Sequence, residues 1–198
     1  MNVHVKKVLL LLANGFEMYE ASVFIDVIGW NYVSGDRLTQ LYSCGLTKEI
    51  NTAFKQKVIV DYTVDEIVVD EFDAIAIPGG FEEYDFYIDA YNDEFVGLIR
   101  KFHEQNKLVV SICTGAIPIA KSGILAGKNG TTYKLSPKNQ GRLREMGVNV
   151  VNKPIVEDSN IIKSWNPSTA MDVAFLLLER LTTQENSLYI KEIMGFKL

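Results

Sequence analysis

Short, continuous apolar runs alternate along the chain with longer stretches in which apolar positions recur every three to four residues. The clearest runs occupy 7–12, 38–44, 72–77 and 108–113, with weaker ones at 58–62, 148–151 and 161–164. Runs this short, without polar alternation, predict strands buried on both faces, as in a parallel sheet covered by helices. Helical spacing predicts helices over 18–32, 95–106, 116–126, 136–146 and 168–180. Strand then helix, repeated, predicts an α/β fold: a doubly wound, mostly parallel sheet flanked by helices on both faces, flavodoxin-like. No internal repeat, low-complexity tract or proline-rich linker divides the chain, so a single domain is expected over 1–198.

In folds of this class ligands sit beyond the carboxyl ends of the strands. Three such ends carry unusual residues: Asn14-Gly15-Phe16-Glu17, Pro78-Gly79-Gly80-Phe81 and Cys113-Thr114-Gly115. The acidic, aromatic stretch 81–95 is the least regular part of the pattern. Its charges predict a solvated loop anchored by a few aromatics, and a lid over a site behind Gly79 and Gly80 is the functional alternative.

Composition narrows the class further. A chain of 198 residues, 47% hydrophobic, is long enough for one sizeable core. A formal net charge of −5, with scattered basic residues, leaves no electrostatic footprint for nucleic acid or for an anionic membrane. The first apolar run is too short to span a membrane and lacks a small-residue cleavage site, so a cytoplasmic protein is expected. The two cysteines, Cys44 and Cys113, lack C-x-x-C spacing, which argues for a reducing compartment and against a metal or dithiol site. The two histidines, His4 and His103, do not cluster with them, and neither a metal nor a cofactor is expected.

Cys113 is the strongest chemical candidate. The segment Leu108-Val109-Val110-Ser111-Ile112-Cys113-Thr114-Gly115-Ala116 is a strand running into a turn, with small residues two positions to either side of the cysteine. A nucleophile on a sharp strand-to-helix elbow needs such neighbours because the two backbones approach closely. The amino end of the following helix would favour thiolate and lower the pKa. Amides near Cys113 and Thr114, with those of Gly79 and Gly80, are candidates for an oxyanion or anion pocket. A small buried hydrophobe is the competing account of Cys113, and the better one for Cys44.

The order of these pieces resembles the ThiJ/PfpI superfamily, which has the class I glutamine-amidotransferase-like fold. The resemblance rests on Ser111 to Ala116, on Ala120-Lys121-Ser122-Gly123-Ile124-Leu125-Ala126-Gly127-Lys128 with Thr131-Thr132, and on Ala76-Ile77-Pro78-Gly79-Gly80. Leu12-Ala13-Asn14-Gly15-Phe16-Glu17 with Glu20, and Ser164-Trp165-Asn166-Pro167-Ser168-Thr169-Ala170, extend it over nearly the whole chain. It implies that Cys113 is the reactive thiol and Glu20 the carboxyl that contacts it. An ionised Glu20 would raise the thiol pKa by repulsion, so it helps only when protonated and donating to the thiolate. The competing account of Glu20, and the preferred one of Glu17, is a first-turn carboxylate that complements the helix dipole.

The family's dyad histidine is expected after Thr131-Thr132, where this chain has Tyr133. A tyrosine is a poor general base at neutral pH, which argues against Cys-His protease chemistry and leaves Tyr133 as a pocket residue. The resemblance implies a glyoxalase-like or deglycase-like reaction on small reactive aldehydes or carbonyl adducts, with Cys113 as nucleophile and Glu20 as proton carrier. Two alternatives stay open: a redox-responsive or chaperone-like stress protein acting through Cys113 oxidation, and a non-catalytic small-molecule-binding module. The expected partners are a small-molecule substrate or oxidant and a second copy in a homodimer, with no nucleic acid and no membrane.

Overall fold

The computed structural model describes residues 4–197, so the outermost positions of the expected 1–198 domain lie outside it. The chain opens with β1 (Lys6–Leu12), α1 (Met18–Ser34) and β2 (Thr39–Gly45). A small hairpin, β3 (Glu49–Asn51) with β4 (Lys57–Ile59), precedes the two-residue edge strand β5 (Tyr62–Thr63). Next come β6 (Ala74–Ile77), α2 (Phe86–Ala90), α3 (Asp93–Glu104), β7 (Leu108–Ser111) and α4 (Ala116–Lys121). The last third holds β8 (Asn129–Gly130), α5 (Pro137–Glu145), β9 (Asn149–Val150), β10 (Ile155–Asp158), β11 (Ile161–Ser164), α6 (Ala170–Leu181) and α7 (Gln184–Ile193).

Seven strands form the main sheet in the order β10-β11-β7-β6-β1-β2-β5, and only β10 runs antiparallel to its neighbour. The chain leaves β1 toward β2 and β5, then crosses back to β6 on the other side of β1. The strand order therefore reverses between β1 and β6, and a crevice opens beyond their carboxyl ends. β7 lies next to β6, so the three unusual strand ends of the sequence are neighbours in space. Val8 to Leu12 and Ala74 to Ile77 are buried throughout, as expected for strands covered on both faces. The mostly parallel, doubly wound single domain is the fold that the alternating pattern predicts.

The details differ where short-range signals mislead. The run at 148–151 yields only β9, paired with β8 in a separate two-stranded ribbon outside the main sheet. The run at 58–62 is split between the hairpin strand β4 and the edge strand β5. β10 was not expected: of its four residues only Val156 is buried, too little apolar content to register as a run. The helix expected over 116–126 stops at Lys121, because Gly123 turns the chain at φ +90° and Ser122 Oγ donates back to Ile119 O. α7 was also not expected; Thr183 caps it by accepting from Asn186 N at 3.2 Å. The stretch 81–95 is more structured than a solvated loop, with a short turn, α2 and the fully buried Phe86, Ala90 and Phe95.

One buried charge stands apart from the crevice. Lys163 on β11 is fully buried, and its Nζ reaches only Ile161 O, at 3.3 Å. Burial pushes its ammonium down to about 8, with Asp158 opposing and Lys128 assisting the shift. The unfolded chain holds this proton up to about pH 10.5, so charging Lys163 opposes folding below pH 8 and the penalty disappears between 8 and 10.5. Lys163→Met is therefore expected to raise stability at pH 7 by roughly 1–3 kcal/mol. Urea melts at several pH values check this: the gain should shrink as pH rises above 8, and a constant gain contradicts it.

Candidate functional site

The first helix brings a carboxyl under the crevice. In α1 the buried positions Glu20, Phe24, Val27, Ile28 and Asn31 recur at helical spacing, so Glu20 lies on the stripe that faces the sheet and is fully buried. Its Oε2 accepts from Gly79 N at 2.6 Å. Its Oε1 is buried without a hydrogen-bond partner, and the Cys113 thiol sits beside the carboxyl, coupled to it electrostatically. Burial pushes the Glu20 carboxyl up to about 8, with repulsion from Glu17 adding to the shift. Glu17 precedes α1, makes no side-chain capping bond, and is itself raised by burial.

Cys113 follows β7 on a tight elbow. Its φ is +56°, a left-handed conformation that a side chain with Cβ adopts only at a cost of about 1–3 kcal/mol. Gly115 makes the elbow possible, since a Cβ there would lie 2.4 Å from Ile77 O. Thr132 Oγ1 donates to Cys113 O at 2.9 Å and ties the elbow to the segment that follows α4. The thiol does not show the depressed pKa expected from the helix behind it. Burial raises it, the Glu20 charge raises it further, and the Thr114 amide offsets only part of this. The helix behind the elbow is the six-residue α4, too short to carry a large dipole.

A cleft of about 640 Å³ opens over the thiol, a size typical of small-molecule sites. Glu17, Gly80, Cys113, Thr114 and Tyr133 line it, so all the expected site residues except the buried Glu20 and Gly79 face it. The two glycine amides do not point into the cleft as an anion pocket would need. Gly79 N donates to Glu20, and Gly80 N donates to Thr114 Oγ1 at 2.8 Å. The Thr114 hydroxyl is likewise engaged, donating to Gly80 O at 2.8 Å. Both histidines lie by the amino ends of the strands, away from the thiol: His4 pairs with Asp73 before β6, and His103 sits near the end of α3, before β7.

The cleft also holds residues that the strand-end motifs do not mark. Glu82 and Tyr87 join Phe81 in one wall, within the 81–95 stretch. Ser136, Lys138 and Asn139, from the start of α5, form the other. The walls are joined across the mouth, where Lys138 Nζ and Arg142 Nη2 lie 2.6 and 2.9 Å from the Glu82 carboxylate. Ser136 before Pro137 is a helix-start signal that could have located the second wall.

The sequence model of the DJ-1/PfpI family matches 6–180 of this chain. The chain belongs to the DJ-1/PfpI family. Among curated relatives, protein DJ-1 homolog A of Arabidopsis thaliana is 26% identical over 93% of this chain and 44% of its own length. The deglycase PfpI of Pyrococcus furiosus is 29% identical over 81% of this chain and 90% of its own. This DJ-1/PfpI chain spans about half the length of the first curated relatives it matches. The crystal structure of Drosophila melanogaster DJ-1beta superposes with a TM-score of 0.84, covering 98% of this chain and 99% of that one at 23% identity, a likeness of fold. No helix among the described residues is long and apolar enough to cross a membrane.

Glu20 also sets a pH dependence of stability. The folded protein keeps a proton that the unfolded chain releases near pH 4.5, so its contribution is fully present below that pH and lost as pH rises through about 8. Glu20→Gln is expected to be stabilising at pH 8 relative to wild type by roughly 2–4 kcal/mol, and nearly neutral at pH 4.5. Denaturant titrations of both proteins across this window test the sign; a difference that does not grow with pH refutes it.

Proposed function

We propose that this DJ-1/PfpI protein acts on small reactive aldehydes or carbonyl adducts, with Cys113 as nucleophile and Glu20 as proton carrier. The supporting observation is the unpartnered Glu20 Oε1, buried beside the cysteine that opens onto the cleft. Below about pH 8 Glu20 keeps its proton, so it donates to sulfur and adds no negative charge beside it. The S–C bond forms as the S–H bond breaks, the carbonyl π pair moves to oxygen, and Glu20 gives its proton to that oxygen while taking up the one that leaves the sulfur. The product is a hemithioacetal, with atoms and charge conserved. Relatives named as deglycases support this substrate class. With Tyr133 at the dyad position no histidine stands there, so Cys-His amide hydrolysis is not part of the proposal. A cytoplasmic homodimer belongs to it; the exposed Tyr19, Ile25, Tyr32 and Val33 of α1 supply apolar surface for a second copy.

A second reading has support of its own. The Thr114 amide and a protonated Glu20 are two donors beside the sulfur, suited to hold a sulfinate formed when a peroxide oxidises Cys113. That reading describes a redox-responsive stress protein and needs no further base.

Methylglyoxal consumption at neutral pH separates the two. Wild-type protein is expected to turn it over, Cys113→Ser to fall to background, and Glu20→Leu to lose about 10²-fold or more. Turnover that survives in Cys113→Ser removes the cysteine from the mechanism. Absence of turnover in wild type, together with sulfinic acid at Cys113 under dilute peroxide, moves the function to the redox reading.

A further inference from the structure

We infer that Thr114 is a positioning residue: its hydroxyl clamps the Gly79-Gly80 turn so that the Gly79 amide holds Glu20 with one carboxyl oxygen turned toward Cys113. This rests on the proposed Glu20–Cys113 pair and adds a component to it. The clamp has two bonds, since Thr114 Oγ1 accepts from Gly80 N at 2.8 Å and donates to Gly80 O at 2.8 Å. A single side-chain atom thereby grips both backbone groups of one glycine. The next link is covalent, from Gly80 to Gly79, and the last is the 2.6 Å bond from Gly79 N to Glu20 Oε2. With Oε2 occupied by that amide, Oε1 is the oxygen left free.

The packing leaves the turn little freedom of its own. A Cβ on Gly79 would meet Thr114 Oγ1 at 2.7 Å, Glu20 Oε2 at 2.8 Å and Thr114 N at 2.8 Å, so all three groups converge on one point. The turn is also tied to the first strand end, with Glu17 N donating to Gly79 O at 2.8 Å and Phe81 N donating to Gly15 O at 3.0 Å. These bonds fix where the turn lies. The Thr114 hydroxyl is the side-chain contact that links the turn to the residue following the nucleophile, so it registers Glu20 against the sulfur. Because both hydrogen-bonding capacities toward Gly80 are used, Thr114 acts through the turn and not by binding an anion in the cleft.

The test is the pH profile of alkylation at Cys113, read site by site with iodoacetamide and with buried Cys44 as the internal control. The ionisable groups around the thiol are Glu17 before α1 and Glu20 in its first turn, Glu82, Glu83 and Tyr87 from the 81–95 stretch, and Tyr133 and Lys138. Thr114 carries no charge, so replacing it leaves every one of them in place. Thr114→Val is expected to lower the midpoint of Cys113 reactivity by about one unit, in the same direction as loss of Glu20, because the carboxylate is no longer held against the sulfur. Thr114→Ser, which keeps the hydroxyl, is expected to retain the wild-type midpoint, and Thr114→Ala serves if the valine variant does not fold. Glu20→Leu reads the underlying pair separately, and is expected to lower the midpoint, because Glu20 is ionised where the thiol titrates and its charge holds the thiol up. A shift with Glu20→Leu but none with Thr114→Val or Thr114→Ala overturns the clamp and leaves the pair standing. An unmoved midpoint with Glu20→Leu overturns the pair and the clamp with it. A shift in Thr114→Ser equal to that in Thr114→Val shows packing at work and also overturns the clamp.

Discussion

Glu20 is a carboxyl on the face of a helix that packs against a sheet, and the arrangement at the strand ends follows from what that carboxyl requires. A buried acid is tolerated when it is neutral or when its oxygens have donors. Here one oxygen has a backbone amide from the turn after β6, the other has no hydrogen-bond partner, and the thiol after β7 lies beside the carboxyl. The pair therefore exists only if three strand ends, from β1, β6 and β7, are held to fractions of an ångström. Parallel neighbours in a sheet provide that register, because β1 pairs with β6 and β6 with β7 through their buried residues. The backbone bonds from Glu17 to Gly79 and from Phe81 to Gly15 then carry it past the ends of the strands into the loops.

The cost of the site is visible in two places. Cys113 adopts a left-handed backbone conformation at the elbow, and Glu20 spends its proton affinity on burial instead of on solvation. Neither would persist in a loosely packed loop. Buried apolar residues of the main core adjoin both in the chain, Ile112 before Cys113 and Val23 and Phe24 after Glu20. Strain held by good packing fits a site whose geometry matters more than its contribution to stability.

Much of this was legible in the sequence, and the parts that were not share a cause. Apolar runs located β1, β6 and β7, because burial on both faces removes most polar residues from the pattern, and a run interrupted by Thr39, Gln40 and Ser43 located the half-buried β2. β8 and β10, at or beyond the sheet's edge, carry too few buried residues to leave such a trace, and β9 left only a weak run. The spacing of small residues located the elbow at Cys113, since close backbone approach is a steric demand that composition records. Hydrogen bonding between distant segments leaves no comparable record. Nothing in Pro78-Gly79-Gly80 says whether the amides point outward to a ligand or inward to Glu20 and Thr114, and here they point inward. The helical stripe shared by Glu20, Phe24, Val27 and Asn31 does record burial, and the half-exposed Glu17 differs because it precedes the helix.

Tyr133 in place of a histidine restricts the chemistry as firmly as the cysteine permits it. A Cys-His pair can hold a thiolate while the imidazolium waits to protonate a leaving group, so it can expel an amine from a tetrahedral intermediate. A Cys-Glu pair whose carboxyl titrates near pH 8, and whose thiol titrates higher still, keeps both protons at neutral pH. Such a pair suits reactions in which the thiol loses one proton and the product gains one, as in addition to an aldehyde. It suits oxidation of the sulfur equally well, because the product is a new acceptor for the Glu20 proton. The two functional readings therefore diverge at the electrophile that enters the cleft and not at the residues that meet it, and the walls around Phe81, Tyr87 and Lys138 are where that choice is made.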